Sequence, residues 1–273
     1  MRFRSVLMTL SICALLVGCS SSGDKEKLND DRPVEEIYNE AATALDTGRN
    51  KIAAQLFEEV ERQYPFSEWA IRAEMMAAYA YYKDERYDEA VLALDRYVEL
   101  HPGNKDTPYA LYLKALSYYN QISDVSRDQA VTEQSLESFN ALIRRFPNSE
   151  FSRDARFKRD LTLDHLAGKE MEIGRYYLTR GHVNASIGRF KTVVQNYQTT
   201  THVPEALHRL VEAYLTIGLK DEATRVAAVL GYNYPGSKWY QYSYELLDDQ
   251  ARAKILDDRD WIDKTVDSLF NPN

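Results

Sequence analysis

The sequence predicts an all-α chain, a solenoid of about five helix pairs closed by C-terminal capping helices. Three observations predict it. Apolar residues recur at spacings of three and four along the chain, the period of amphipathic helices. Proline and glycine are sparse inside those segments and gather between them. The punctuation itself repeats, as Tyr64-Pro65-Phe66-Ser67, His101-Pro102-Gly103-Asn104, Phe146-Pro147-Asn148-Ser149 and Tyr234-Pro235-Gly236-Ser237, which is how stacked helix pairs are separated.

The first element is not part of the stack. Arg2 and Arg4 precede an apolar run, Ser5–Val17, of signal-peptide length and short for a membrane span. The run ends Leu16-Val17-Gly18-Cys19, the pattern of a bacterial lipobox. A thiolate is the nucleophile that takes a diacylglycerol as a thioether, so residues 1–18 read as a lipoprotein signal and Cys19 as S-diacylglycerol cysteine. Cleavage leaves Cys19 as an amino terminus open to a further acyl chain such as palmitate. An unacylated export signal with an incidental cysteine is the bland alternative. Ser20 follows Cys19, where aspartate would resemble an inner-membrane retention signal, so the periplasmic face of the outer membrane is expected. Residues 19–32 carry serine, glycine and charge with a single leucine, too little to bury, and read as a tether of roughly 20 Å root-mean-square span.

The anchor changes what the composition means. The chain has two cysteines; Cys13 leaves with the signal and Cys19 carries lipid, so the body relies on its apolar core without disulfides. The 255 residues that remain hold 32 basic and 42 acidic side chains. That balance argues against nucleic acid as a partner. It also argues against charge-driven adhesion to anionic lipid, so the acyl chains hold the membrane at about 0.8 kcal/mol per buried CH₂.

The internal spacing of the repeats is that of the tetratricopeptide unit, W-x₂-L-G-x₂-Y, then A-x₃-F, then P, over 34 residues. Leu207-x₂-Leu210-Val211-x₂-Tyr214, Ala223-x₃-Ala227 and Pro235 fall in that register. So do Glu170-x₂-Ile173-Gly174-x₂-Tyr177 and Ser186-x₃-Phe190, with Gln198 where proline is expected. Glu74-x₂-Ala77-Ala78-x₂-Tyr81, Ala90-x₃-Leu94 and Pro102 fit again, as do Leu111-x₂-Lys114-Ala115-x₂-Tyr118, Ser135-x₃-Phe139 and Pro147. The first repeat is weaker, with Ala41, Ala44, Ala53-x₃-Phe57 and Pro65. Small residues mark the crossings of paired helices, and large ones fill the space beside them.

Joint lengths carry more. Pro65 to Pro102 and Gln198 to Pro235 are each 37 residues, Pro102 to Pro147 is 45 and Pro147 to Gln198 is 51. The extra eight fall in the polar "ISDVSRDQ", a loop inside the third repeat. The extra fourteen are close to four helical turns, so the spacing predicts one long helix from Ser152 to Arg180, bent near Gly168. The expected divisions are therefore 33–150 for repeats one to three, 151–235 for the long helix and repeats four and five, and 236–273 for capping helices.

Catalytic constellations are missing from the sequence. No H-E-x-x-H, G-x-S-x-G or glycine-rich phosphate loop occurs. His202 and His208 lack a third ligand at metal-site spacing and read as solvated loop and helix surface. Asp84-Glu85 and Asp257-Asp258 read as solvated turns or helix surface, and Asn184-Ala185-Ser186 as a chance sequon. No enzyme activity, cofactor or metal is expected. Binding is left, with "YAYYK" (Tyr79–Lys83) and Tyr118-Tyr119 on opening helices, which line the groove in such repeats. Tyrosine suits recognition of extended peptides, although Tyr81 and Tyr118 are consensus packing positions.

Lipobox, tether and five repeats together resemble the BamD (YfiO/ComL) family of outer-membrane lipoproteins, over about Val34 to Leu230. The resemblance rests on "RQYPFS" (62–67), "YAYYK" (79–83), "LDRYVELHP" (94–102), "YALYLKAL" (109–116), "RRFPNSEFSRDA" (144–155) and "YYLTRGHVNASIGRF" (176–190). It implies a scaffold without turnover in the β-barrel assembly machinery. Members hold the periplasmic domains of BamA through C-terminal repeats, sit with other Bam lipoproteins, and meet unfolded outer-membrane β-barrel proteins near their N-terminal repeats. By position, Arg189 in "GRF" matches the family arginine facing BamA. Tyr64, Pro65 and Phe66 match the N-terminal pocket for substrate, and are also an ordinary repeat joint. Asn50 stands where an aromatic is expected, and the segment from Gly231 onward extends past the match. The competing readings are a periplasmic tetratricopeptide adaptor for cell-wall synthesis and a chaperone or pilotin lipoprotein for a secretin.

Overall fold

The structure, a computed structural model, describes residues 32–257 and 269–270. The signal run, Cys19, the tether as far as Asp31, Asp258 and most of the last expected helix lie outside the described residues. Among the described residues there is no strand. Ten helices form five antiparallel pairs: α1 (Val34–Asp46) with α2 (Asn50–Gln63), α3 (Glu68–Lys83) with α4 (Tyr87–Leu100), α5 (Thr107–Tyr119) with α6 (Ala130–Arg145), α7 (Glu150–Thr179) with α8 (Val183–Asn196), and α9 (Val203–Thr216) with α10 (Lys220–Asn233). Two short helices follow, α11 (Lys238–Leu246) and α12 (Asp249–Asp257).

The turn inside a pair is built the same way four times. A residue with positive φ ends the opening helix: Gly48 (75°), Glu85 (58°), Gly181 (77°) and Gly218 (81°). The next N–H bonds back across the last turn, from Arg49 to Ala44 O, Arg86 to Tyr81 O, His182 to Tyr177 O and Leu219 to Tyr214 O. These are left-handed helix caps that satisfy otherwise orphaned carbonyls. Three of the four use glycine, which adopts that conformation without a Cβ penalty; Glu85 does not. The third repeat replaces the turn by the expected loop, residues 120–129.

The joint between pairs is equally regular. The closing helix ends on Tyr64, His101, Phe146, Tyr197 or Tyr234, whose carbonyl accepts the N–H three residues on. Ser67 and Ser237 then cap α3 and α11, their Oγ atoms accepting from the N–H of Ala70 and Trp239. Pro108 and Pro204 sit in the first turns of α5 and α9, where no helical N–H is lost.

On each closing helix a small residue precedes the residue one turn on, which is large in four of the five pairs. Ala53 and Phe57, Ala90 and Leu94, Ser135 and Phe139, Ser186 and Phe190, and Ala223 and Ala227 all have no exposed surface. In the fourth pair the approach leaves no room for a side chain: a Cβ on Gly174 would lie 2.4 Å from Cε1 of Phe190. Repeat two solves the same crossing with Ala78 and Leu94, a larger small residue and a smaller large one.

Opening helices pack on the next opening helix along the stack, whereas no comparable packing among the described residues joins α2, α4, α6 or α8 to the next closing helix. The opening helices therefore form the inner face of a curved stack. Buried apolar residues fall into four clusters along it, and α7 belongs to two. Ala155 joins Ala115, Phe139 and Leu142, while Ala167 and Met171 join Phe190, Leu207 and Leu210. The helix starts two residues before the expected Ser152. It is unbroken through Gly168, where a Cβ would meet His202 Nε2 at 3.3 Å. Leu247, Ile255, Leu269 and Phe270 pack on the C-terminal cluster, and Gln198 Nε2 donates to the Phe270 carbonyl at 2.7 Å.

Two outcomes follow. Glu85 is exposed, so Glu85→Gly removes backbone strain without losing a contact and raises stability by about 1 kcal/mol, a melting shift of about 2–4 °C by calorimetry. Gly174→Ala improves helix propensity yet destabilises by about 1–3 kcal/mol, because Phe190 has nowhere to move. Adding Phe190→Leu reproduces the pair found in repeat two and restores the melting temperature.

Candidate protein-interaction surfaces

On the inner face the opening helices of repeats two to four carry a run of rings. Tyr79 stacks on Tyr82 at 6.5 Å between centroids, and Phe151 lies 5.2 Å from Tyr109 and 5.5 Å from Tyr112. All five are half-buried. The Tyr82 hydroxyl accepts from Asn120 Nδ2 at 2.9 Å, and the Tyr112 hydroxyl donates to Asp154. Burial, then the neighbouring carboxylate, pushes the Tyr112 phenol up. Such a surface offers apolar area with hydroxyl handles. Tyr81 is different: it is buried, bonded to Glu58 and covered by the Arg86 guanidinium at 4.7 Å. Burial and Glu58 raise its pKa to about 12, so it packs. Tyr118 lines a shallow cleft with Leu111, Lys114, Gln134 and Glu137.

The N-terminal corner divides its three residues. The Tyr64 ring packs on the first core, and its hydroxyl donates to the Arg32 carbonyl at 2.6 Å, where the described chain begins. Arg32 also pairs with Glu40. Pro65 and Phe66 face solvent, Phe66 with a relative exposure of 102 %. Asn50 holds the start of α2 to the end of α3, Nδ2 donating to the Lys83 carbonyl at 2.9 Å.

At the C-terminal repeats Arg189 stands on α8 with its side chain 43 % exposed. Its Nη1 donates to both oxygens of Glu170 on α7, at 3.2 and 3.1 Å. Among the described residues its Nε and Nη2 meet no acceptor. Half of the fork is thus held within the chain and half is presented outward, a geometry suited to a second carboxylate. Glutamate at 189 would place two carboxylates together, so charge reversal there perturbs the fold as well as any partner.

The histidines need one correction. His202 is half-buried, 3.6 Å from Asp164, but His208 is buried rather than solvated. Its Nδ1 lies 2.9 Å from Ser243 Oγ, and its ring lies against Trp239. Its other nitrogen faces Glu212 at 3.5 Å, and that contact, with Arg209, holds the Glu212 carboxyl below its usual range. The helix that buries His208 is α11, beyond the repeats, which local periodicity cannot reveal. No group of three or more His, Cys, Asp or Glu among the described residues is placed to hold a metal ion. No helix among them is long and apolar enough to cross a membrane.

Known proteins resemble the chain over most of its length. The profile of the family described as "YfiO: Outer membrane lipoprotein" matches residues 30–230. "Outer membrane protein assembly factor BamD" of Caulobacter vibrioides is 52 % identical over 241 residues, 88 % of this chain and 79 % of that protein. The protein of the same name from Rickettsia prowazekii is 46 % identical over 248 residues, 90 % of this chain and 98 % of that one. The one from Neisseria meningitidis serogroup A is 32 % identical over 255 residues, 89 % and 96 % of the two chains.

Proposed function

Because the chain belongs to the BamD family of outer-membrane lipoproteins, we propose that it is an assembly factor for outer-membrane proteins, acting as a scaffold without turnover. Acylated Cys19 holds it to the periplasmic face of the outer membrane, and residues 20–32 act as the tether. The C-terminal repeats hold the periplasmic domains of BamA, other Bam lipoproteins complete the complex, and unfolded β-barrel proteins approach the N-terminal repeats. Identity of 52 % and 46 % to two assembly factors across nearly the whole chain carries this reading.

Arg189 contacts BamA through the donors that Glu170 leaves free. Tyr64, Pro65 and Phe66 mark the substrate end; of the three, Phe66 has the apolar surface to offer. Tyr64 contributes by holding Arg32, and with it the end of the tether, beside that corner. The rings of Tyr79, Tyr82, Tyr109 and Tyr112 extend the same surface along the inner face. Residues 33–150 and 151–235 then serve as substrate-facing and BamA-facing halves joined by α7, with residues after 235 as the cap.

Co-purification from detergent-solubilised outer membrane tests the reading: BamA should be retained by the chain, and a cell-wall synthase or a secretin in its place would contradict it. Arg189→Gln avoids the like-charge clash with Glu170. Losing one half of a desolvated charge pair commonly costs about 2–5 kcal/mol, so this variant should lower BamA affinity at least about thirtyfold by that arithmetic, with only a small drop in melting temperature from the lost Glu170 pair. Unchanged affinity would remove Arg189 from the interface.

A further inference from the structure

The added turns of α7 leave a helix face without a partner. α8 has 14 residues and α7 has 30, so α8 covers only the second half of its mate. The helices that pack on α7 besides α8 are α5 and α6, with a lighter contact from α9, and Leu161 and Asp164 border a cleft with Val125 and His202. At the pitch of an α-helix, Arg153, Arg156, Phe157, Asp160, Leu161 and Asp164 fall within one arc of about 140°. The buried residues Ala155 and Thr162 lie opposite. Phe157 is 62 % and Leu161 44 % exposed, an apolar pair one turn apart in a helix that buries its other face.

Charge at this place runs against the rest of the chain. The whole protein has 34 basic and 42 acidic side chains, yet residues 144–159 hold six basic against two acidic. Lys158 is spent on Asp154 and Arg159 on Asp160. Asp164, at the far end of the arc, accepts from the N–H and hydroxyl of Thr201. Four arginines are left: Arg144, Arg145, Arg153 and Arg156 are exposed, and among the described residues none has a carboxylate partner. Arg145 and Arg156 donate only to the carbonyls of Pro102 and Pro147.

From this juxtaposition we infer that the outer face of the first half of α7, with the end of α6, is a docking surface for an acidic amphipathic segment of a partner polypeptide. Its carboxylates pair with the guanidinium forks, which bind them in two-pronged fashion, and its apolar side chains cover Phe157 and Leu161. This contact is separate from those assigned above to Arg189 and to the N-terminal corner. It rests on the scaffold reading only in requiring a polypeptide partner.

A photo-crosslinking amino acid at position 157, introduced in cells into the full-length chain, tests it. Leu92, 71 % exposed on α4, serves as the reference position. The expected adduct joins residue 157 to another polypeptide, and mass spectrometry of the attached segment finds net negative charge with interspersed apolar residues. Its yield should fall at least about tenfold in Arg153→Glu/Arg156→Glu, with melting temperature and BamA retention unchanged. Arg153→Gln/Arg156→Gln replaces that variant if reversal prevents folding. An adduct to phospholipid, to nucleic acid, to the chain itself or to a neutral or basic segment would overturn the inference, as would no adduct or a yield indifferent to the arginines. Loss of BamA with the adduct intact would strike only the scaffold reading.

Discussion

A pair of short helices cannot hide its own apolar face, and everything in this molecule depends on how the crossing within each pair is filled. The solution in four of the five pairs is a small residue beside a large one, each pair covering its neighbour and α11 and α12 covering the last. Phe57, Leu94, Phe139 and Phe190 have no exposed surface, and truncating a buried phenylalanine typically costs about 3–5 kcal/mol. Because the opening helices also touch one another along the stack, the crossings fix an inner face as well as a core. The rings of Tyr109 and Phe151 are brought together by that geometry, since they are distant in sequence and lie on successive opening helices.

The long helix turns a uniform stack into a divided one without a break in the chain. Its two halves belong to different clusters, so the N-terminal and C-terminal repeats share one continuous element. The same extra turns leave a face that no later helix covers. An insertion close to a whole number of turns preserves packing on both sides. A surface for a partner is then a geometric by-product of lengthening one helix and leaving its mate short.

Much of this was legible in the sequence because tetratricopeptide packing is local. The crossing residues Ala53 and Phe57, Ser135 and Phe139, and Ser186 and Phe190 stand in consensus register, and each is buried as that register requires. The long helix followed from joint lengths alone, to within two residues. What stayed hidden involves long-range partners. His208 looked like helix surface because α11, which covers it, comes from beyond the repeats. Arg189 matched a family position, but its engagement by Glu170 needed the third dimension. The bond from the Tyr64 hydroxyl to the backbone of Arg32 spans 32 residues and leaves no local signal. The role of Gly168 was equally hidden from local sequence. Here it makes room for His202.

The central claim is that one continuous helix couples two sets of repeats, each held by its own filled crossings. Amide hydrogen exchange along α7 tests it most directly. The account predicts that the N–H groups from Lys158 to Lys169 exchange as slowly as those around Ala155 and Met171, on either side of the transfer between clusters. Fast exchange confined to that middle stretch would mean two units joined by a hinge, and would contradict it.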